Sequence, residues 1–164
     1  MHIVGVISDT HDLLRPEAVT LLSGVDHIIH AGDIGSARIL DDLARIAPLT
    51  VVRGNNDREA WARPIPASAV IEIGGRLLYV LHNVAEIDLD PAAAGISVVI
   101  AGHSHRPSIV EKNGVMFLNP GSAGPRRFKL PIALATLRIT SRAIQPQIHE
   151  IGIEPRPASR RRGA

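Results

Sequence analysis

The stretch Ile3-Val4-Gly5-Val6-Ile7-Ser8-Asp9-Thr10-His11 contains the pattern from which the fold of this chain follows: a β-branched apolar run that ends in a carboxylate and an imidazole. Four later apolar runs also end in acid, amide or histidine side chains, at Gly32-Asp33, Gly54-Asn55-Asn56-Asp57, His82 and Gly102-His103-Ser104-His105. Such runs predict strands that are buried on both faces of a sheet. Because loops at the carboxyl ends of strands in an open α/β sheet converge on one crevice, we expect the five clusters to meet.

The first half of the chain alternates predicted strands and helices. In order, the predicted elements are strand 3–7, helix 16–23, strand 27–30, helix 36–46 and strand 49–53. Pro16 suits the first turn of the first helix, Gly24 its end, and Ser36 the N-cap of the second helix. This βαβαβ order predicts parallel strands joined by right-handed crossovers.

The second half of the chain is typical of β-hairpins. Gly74-Gly75 and Asn113-Gly114 each separate two apolar runs, which is a hairpin signature. The predicted strands are 71–73 with 76–81, 97–101, 109–111 with 115–118, and 132–139 with 143–148. The predicted fold is therefore α/β, with two packed β-sheets flanked by helices.

Composition favours a folded enzyme or binding protein. Hydrophobic residues make up 45% of the 164 residues, which is enough for a core, and the absence of cysteine excludes disulfides and thiolate metal ligands. We expect one domain at 1–150 and a basic tail at 151–164, which is either a solvated terminus or a nucleic-acid- or anion-binding arm. No signal peptide or membrane span is visible, so a cytoplasmic location is expected. The net charge of +2 does not favour nucleic acid as a partner.

The clusters contain seven candidate metal ligands, namely Asp9, His11, Asp33, Asn55, His82, His103 and His105. Oxygen and imidazole ligands without thiolate favour hard or borderline divalent metals. Asp9 and His11 are two residues apart, so an extended backbone would place both side chains on one side. The same spacing presents His103 and His105 to one crevice, where the two imidazoles suit neighbouring metals.

Each cluster taken alone also has a structural explanation. Asp9 and Asp33 could cap helices, the loop at 54–57 has the composition that turns select, and a strand-end histidine such as His82 is often only hydrogen-bonded. His30 either hydrogen-bonds a ligand or packs in the core. Together, however, seven ligands suit two metals that share one carboxylate. Two metals about 3.5–4 Å apart form a clamp for in-line displacement at phosphorus.

In this order, the motifs Asp-x-His, Gly-Asp, Gly-Asn-x-Asp, a strand-end His and Gly-His-Ser-His resemble those of the calcineurin-like metallophosphoesterases. The His30-Ala31-Gly32-Asp33 and Asn119-Pro120-Gly121-Ser122 segments resemble the small bacterial and archaeal phosphodiesterase branch. The resemblance covers residues 1 to about 150. It implies a four-layer αββα sandwich of two mixed β-sheets flanked by helices, with a dinuclear metal centre.

The resemblance also implies how the ligands are divided between the two metals. The first set is Asp9, His11, Asp33 and His105, and the second is Asp33, Asn55, His82 and His103. Mn is the activating ion that we expect, with Fe, Zn, Ni or Co as alternatives that ligand chemistry does not separate. The implied activity is hydrolysis of a small phosphodiester or other phosphorylated substrate by a metal-bridging hydroxide, and Asn55, Asn56 and His82 are the expected catalytic residues.

Two positions depart from the family pattern. Larger members carry a histidine where this chain has Asn56, which cannot act as a general acid, so substrates with good leaving groups should be favoured. Asn83 replaces a common glycine and could narrow the pocket or contact phosphate. Arg126, beyond the Asn-Pro-Gly-Ser loop, could contact phosphate or simply contribute surface charge.

Two other functions remain as alternatives. The first is a non-catalytic protein-interaction scaffold, like the retromer subunit that is similar to this fold but departs from the ligand set. The second is a nuclease, which the basic tail suggests and the lack of an evident aromatic platform for bases disfavours. Association of the chain into a homo-oligomer also remains open.

Overall fold

The computed structural model describes residues 1–152, which form two α-helices and ten strands. The elements are β1 (His2–Ile7), α1 (Pro16–Leu22), β2 (His27–His30), α2 (Ala37–Ala44), β3 (Leu49–Val51), β4 (Ser68–Ile73), β5 (Arg76–Leu81), β6 (Ile96–Ile100), β7 (Ser108–Lys112), β8 (Val115–Asn119), β9 (Ala133–Ile139) and β10 (Ile144–Glu150). Two short 3₁₀ turns lie at Ala60–Ala62 and Val84–Glu86. The basic tail predicted over 151–164 lies outside the described residues, apart from its first two positions.

The strands form two mixed five-stranded sheets, as predicted. In the first sheet the order is β10-β9-β1-β2-β3. Strands β1, β2 and β3 are parallel to one another, whereas β9 is antiparallel to both of its neighbours, β1 and β10. In the second sheet the order is β4-β5-β6-β8-β7, with β5, β6 and β8 parallel. The carboxyl ends of the parallel strands carry the five polar clusters.

All three predicted hairpins are present. Gly74 and Gly75 connect β4 to β5, and Asn113 and Gly114 connect β7 to β8. All four of these residues have positive φ, between 53° and 77°, which is the backbone that a type I′ turn requires. The third hairpin joins β9 to β10, with Ile139 opposite Ile144.

Three apolar clusters separate the layers of the sandwich. The first packs α1 and α2 on one face of the first sheet, with Leu22 and Leu43 against Ile7 and Ile28. The second lies between the two sheets. The third covers the outer face of the second sheet around Tyr79. The predicted αββα sandwich is confirmed, but its fourth layer is thin. It consists of the 3₁₀ turn at Val84–Glu86 and an irregular segment to residue 95.

Two details of the chain differ from the sequence-based expectation. Ser36 stands at the N-cap of α2, but its hydroxyl donates to Asp12 Oδ1 at 2.5 Å and makes no capping bond. The reason is that the loop carrying Asp12 lies directly against Gly35, within reach of this hydroxyl. Ile151, just beyond the expected domain end, is buried and donates its N–H to the Ile132 carbonyl, so the packed core includes it. Within residues 1–152, no helix is long and apolar enough to span a membrane.

Candidate metal centre

The predicted ligands converge on the edge where β1, β2, β3, β5 and β6 end. His11, His105 and Asp9 form one group whose candidate ligand atoms all lie within 4.8 Å of one another. Asp9, Asp33 and His82 form a second such group. The two groups share Asp9, so they are neighbours in a single cluster of carboxylates and imidazoles.

In the first group, two imidazoles face the Asp9 carboxylate. His105 Nε2 is 3.3 Å and His11 Nε2 is 3.8 Å from Asp9 Oδ1. The centroids of the two rings are 5.4 Å apart. His11 Nε2 is also 3.7 Å from Asp33 Oδ2, so Asp33 reaches this group from the other side.

In the second group, His82 lies between the two carboxylates. Its Nε2 is 3.2 Å from Asp33 Oδ2 and 3.8 Å from Asp9 Oδ1. The His103 ring stands edge-on to the His82 ring, with centroids 5.2 Å apart. Asn55 and His103 line the same open cavity of about 350 Å³ as His82. In space, therefore, the His105 ring lies beside the His11 ring, and the His103 ring lies beside the His82 ring.

The hydrogen bond of His82 fixes which nitrogen faces the carboxylates. Nδ1 lies 2.7 Å from the Ala31 carbonyl, which only accepts, so Nδ1 carries the proton and Nε2 of the neutral ring presents a lone pair. Burial lowers the pKa of His82, but the Asp33 and Asp9 carboxylates outweigh it, and the pKa is raised above its usual value. A backbone carbonyl that orients a metal-binding histidine in this way is a common feature of metal sites.

Both carboxylates are held ionised. Burial alone raises the pKa of Asp9, but the His105 and His82 rings and the Ser8 hydroxyl outweigh it, and the pKa is lowered. Asp33 is also desolvated, yet the neighbouring His82 imidazole and the hydrogen bond from the Asn56 N–H lower its pKa to about 2. Asp9 Oδ2 accepts from Ser8 Oγ at 2.7 Å and from the His103 N–H at 3.1 Å. These bonds leave Asp9 Oδ1 directed at the imidazoles.

Four buried atoms of the cluster have no hydrogen-bond partner among residues 1–152, namely Asp9 Oδ1, His11 Nε2, His82 Nε2 and His105 Nδ1. A buried polar atom without a partner costs about 1–3 kcal/mol. Three of these atoms face one another across distances of 3.8 Å. Divalent cations would compensate these three atoms, so the residues present fit the metals that the ligand set predicts.

The backbone at the ligands is unusual. Five of the seven predicted ligands have left-handed φ, namely Asp9 at 53°, His11 at 44°, Asp33 at 55°, His103 at 70° and His105 at 60°. The expectation that extended backbone brings Asp9 and His11 together is therefore wrong, because β1 has already ended at Ile7. Left-handed backbone conformations bring the side chains of Asp9 and His11 together instead. Such conformations are uncommon in residues other than glycine and concentrate at functional sites.

Two glycines allow the loops to approach the carboxylates. A Cβ at Gly54 would overlap Asp33 Oδ1, and a Cβ at Gly102 would overlap Ser8 Oγ and lie 2.5 Å from Asp9 Oδ2. Any side chain at either position would push a carboxylate out of the cluster.

Comparison with known proteins identifies the family. The family model of the calcineurin-like phosphoesterase superfamily domain matches residues 1–142. The chain belongs to this superfamily. A probable metallophosphoesterase of Methanothermobacter thermautotrophicus is 34% identical over 162 residues, which cover 92% of this chain and 93% of that protein.

Comparison with solved structures shows that the chain also resembles known proteins in its three-dimensional fold. A structure described as a novel archaeal phosphodiesterase superposes with a TM-score of 0.77 at 22% identity, covering 91% of this chain and 99% of that one. Vps29 of Chaetomium thermophilum superposes with a TM-score of 0.74 at 19% identity, covering 92% and 97%. Both likenesses show the shared fold.

Sequence reasoning missed the role of Asp57 in the phosphoesterase domain. Its buried carboxylate accepts from the N–H groups of Gly54 at 2.8 Å and Ile34 at 3.0 Å, and from that of Gly35 at 3.3 Å. It therefore ties the loop after β2, which carries Asp33, to the loop after β3, which carries Asn55. The residue was visible as the last member of Gly-Asn-Asn-Asp, but two of its three partners lie 22 and 23 positions earlier in the chain.

His30 packs and orients backbone, and it makes no hydrogen bond to a ligand side chain. The Thr10 hydroxyl donates to the Ile34 carbonyl at 2.7 Å, so it accepts from His30 Nε2 at 2.9 Å. His30 Nδ1 accepts from the Gly32 N–H at 3.1 Å. Both ring nitrogens are used in the neutral state, and burial lowers the pKa of His30 to about 4.

The remaining departures lie at different distances from the cluster. Asn83 lines the cavity of about 350 Å³ beside His82, which we call the metal cavity. Its Oδ1, however, accepts from the Ala85 N–H at 3.0 Å and caps the 3₁₀ turn. Arg126 lies at a separate cavity near Ile132 and donates to the Leu130 carbonyl at 3.3 Å. The structure thus brings Asn83, and not Arg126, to the metal cavity.

Proposed function

We propose that this protein is a dinuclear metal-dependent phosphodiesterase that acts on small phosphodiesters. The observation that carries the proposal is the set of buried, unpartnered ligand atoms on Asp9, His11 and His82, held in one cluster with Asp33 and His105. The structural likeness to a protein described as an archaeal phosphodiesterase supports a diester as substrate.

The proposed ligand sets follow the two sides of the cluster. Asp9, His11, Asp33 and His105 would hold one ion, and Asp33, Asn55, His82 and His103 the other. Asp33 suits the shared position because its Oδ2 lies between His11 at 3.7 Å and His82 at 3.2 Å. Asp9 Oδ1 is within 3.8 Å of both His11 and His82, so it too lies between the two sides.

The chemistry needs a nucleophile, charge neutralisation and a leaving group. Two bound divalent ions would supply an activated water and neutralise the phosphoryl charge. The water oxygen forms a new bond to phosphorus, the ester P–O bond breaks, and the products are a phosphomonoester and an alcohol. We propose Mn as the native ion, as the family resemblance implies. The donor set of carboxylate, amide and imidazole is compatible with Mn and does not separate it from Fe, Zn, Ni or Co.

Asn56 has a positioning role in this proposal. Its backbone N–H donates to Asp33 Oδ1 at 3.0 Å, and its side-chain amide donates to Asp33 Oδ2 at 3.2 Å. Asn56 therefore orients the shared carboxylate. Because an amide does not release a proton near neutral pH, Asn56 cannot protonate the departing alkoxide, which must take its proton from solvent. Diesters whose leaving groups are stable as anions should therefore react fastest.

A non-catalytic scaffold on the same fold is the second candidate, favoured by the superposition of Vps29 with nearly the same TM-score as the phosphodiesterase. The ligand chemistry argues against it. A scaffold gains nothing from left-handed backbone at five ligand positions or from unpartnered buried nitrogens, both of which cost stability.

Hydrolysis of bis-p-nitrophenyl phosphate tests the proposal. The protein is stripped with a chelator, then assayed with and without added Mn²⁺. We expect turnover only after Mn²⁺ is restored, and loss of about a hundredfold or more in the His103→Ala and Asp33→Asn variants. His149→Ala is the matched control, because His149 lies on β10 and pairs its ring with Thr136. Metal binding without turnover by the wild-type protein would favour the scaffold.

A further inference from the structure

A second cavity opens directly beside the metal centre, on the outer face of the second sheet. Its volume is about 210 Å³. We infer that this cavity binds an aromatic or branched apolar ester group of the phosphodiester, and so selects the substrate. The inference rests on the proposed function, because the metal centre must hold the phosphate while the cavity holds the group attached to it.

The walls of this cavity, which we call the ester pocket, are mostly apolar. Val99 and Ala101 are at most 5% exposed and form its floor, while Val84 and Phe117 contribute its sides. Val84 is 44% exposed, which is high for a large apolar residue beside a catalytic site. An apolar group placed here would be removed from water on several sides, which favours binding.

The ester pocket is continuous with the metal cavity. His103 and Asn83 line both, so the two cavities meet along these side chains. The His103 ring is in edge-on contact with the His82 ring, whose Nε2 faces Asp33. A phosphoryl group at the metal centre would therefore have one of its ester oxygens directed across His103 toward the pocket.

The rim of the ester pocket includes the hydroxyl of Ser104, which has a proton to donate. Ser104 Oγ accepts from Asn119 Nδ2 at 3.0 Å and from the Arg106 N–H at 3.2 Å, so its own proton is not used in these bonds. Asn119 in turn donates to the Gly102 carbonyl at 2.9 Å, which fixes the rim to the loop that carries His103. The pocket thus combines apolar walls with a hydrogen-bond donor near its mouth, as ligand pockets commonly do.

The size of the pocket suits a ring. A dry apolar cavity of about 150 Å³ accommodates benzene, and the ester pocket is larger. Val84 and Phe117 also line a neighbouring cavity of about 410 Å³, so a substituent on the ring would have room to extend. The occupant that fits is an aryl or branched alkyl ester, and a methyl ester would leave most of the pocket empty.

Phosphonate binding tests the ester pocket without turnover. Phenylphosphonate and methylphosphonate present the same anion to the metals and differ only in the attached group. We expect the Mn-loaded protein to bind phenylphosphonate about tenfold more tightly by isothermal titration calorimetry. Ser108→Phe should abolish this difference while leaving methylphosphonate affinity and metal content unchanged, because Ser108 pairs with Asn119 on the face that carries the pocket.

Ile109→Phe is the matched control. Ile109 follows on the same edge strand, is 42% exposed and pairs with Leu118, so its side chain points to the opposite face of the sheet. The tenfold difference should persist in this variant, and Ser108→Leu should reduce it by an intermediate amount. Equal affinity of the wild-type protein for both phosphonates would overturn the ester pocket and leave the phosphodiesterase intact. Failure to bind metal or either phosphonate would overturn the proposed function itself, and this inference with it.

Discussion

The side-chain amide of Asn56 donates a hydrogen bond to Asp33 Oδ2 across 3.2 Å, and the adjacent backbone N–H donates to Oδ1 of the same carboxylate. One residue therefore contacts both oxygens of the carboxylate that is proposed to join the two metals. Residues that orient a ligand in this way typically affect metal affinity by about 10- to 100-fold.

Replacing Asn56 with alanine should weaken metal binding without preventing folding. The variant retains the backbone bond to Asp33 but loses the side-chain bond, so we expect a Mn²⁺ affinity about tenfold lower. Calorimetric titration of the stripped protein measures this directly. Asn83→Ala is the control, since that amide faces the same cavity but bonds to the Ala85 N–H, and its affinity should change by less than twofold. Equal Mn²⁺ affinities of the two variants would show that the Asn56 side chain does not help to orient the metal ligands.

Restoring a proton donor at position 56 should broaden the substrate range. An imidazole in Asn56→His could protonate a departing alkoxide, which is worth about 10²–10⁴-fold for general acid catalysis. We expect the gain to be confined to diesters with alkyl leaving groups, whereas p-nitrophenyl esters gain little. The measurement is the ratio of kcat for the two substrate types in the variant and the wild-type protein. An unchanged ratio would show that the leaving group departs away from this residue.

Gly102→Ala should disrupt the metal centre through a steric clash. The added Cβ would overlap Ser8 Oγ and crowd Asp9 Oδ2, so we expect the loss of about 1–3 kcal/mol of unfolding free energy that overpacking causes. Bound metal should fall in parallel. Gly152→Ala is the control, because a Cβ there meets no heavy atom within 4 Å. A Gly102→Ala protein with full stability and full metal content would contradict the close packing of the Gly102 loop on Asp9.

His30 should make stability depend on pH. Its pKa is lowered from 6.5 to about 4 by burial, so the folded state favours the neutral ring. The stability that this ring contributes is fully present above pH 6.5 and is lost as the pH falls toward 4. We expect the unfolding free energy of the metal-free protein, relative to His30→Gln, to fall by about 3 kcal/mol between pH 7 and pH 4.

Urea denaturation of both proteins at each pH measures this difference. A constant difference between the wild-type protein and His30→Gln would mean that the pKa of His30 is the same in the folded and unfolded states.

The fold was predictable because its signals are local. Runs such as Ile3 to Ile7 and Ser97 to Ile100 identify strands buried on both faces, and the Gly74-Gly75 turn identifies a hairpin that the structure contains. Strand polarity then follows from the βαβαβ order, so the meeting of the strand-end clusters was also accessible.

The details of the site were less accessible because they depend on distant contacts. The left-handed backbone at Asp9 and His11 arises where the loop bonds to Gly32 and Asp33 carbonyls, more than twenty residues away. Asp57 bonds to N–H groups in another loop, and Ser36 donates to Asp12 instead of capping its helix. No local pattern distinguishes these choices from the ordinary turn and cap that the same residues also form.

Anomalous diffraction from Mn-soaked crystals tests the central claim most directly. The account predicts two Mn peaks about 3.5–4 Å apart, one contacting Asp9, His11 and His105 and the other contacting Asn55, His82 and His103, with Asp33 contacting both. A single peak, or peaks away from these residues, would contradict the dinuclear centre and the mechanism built on it.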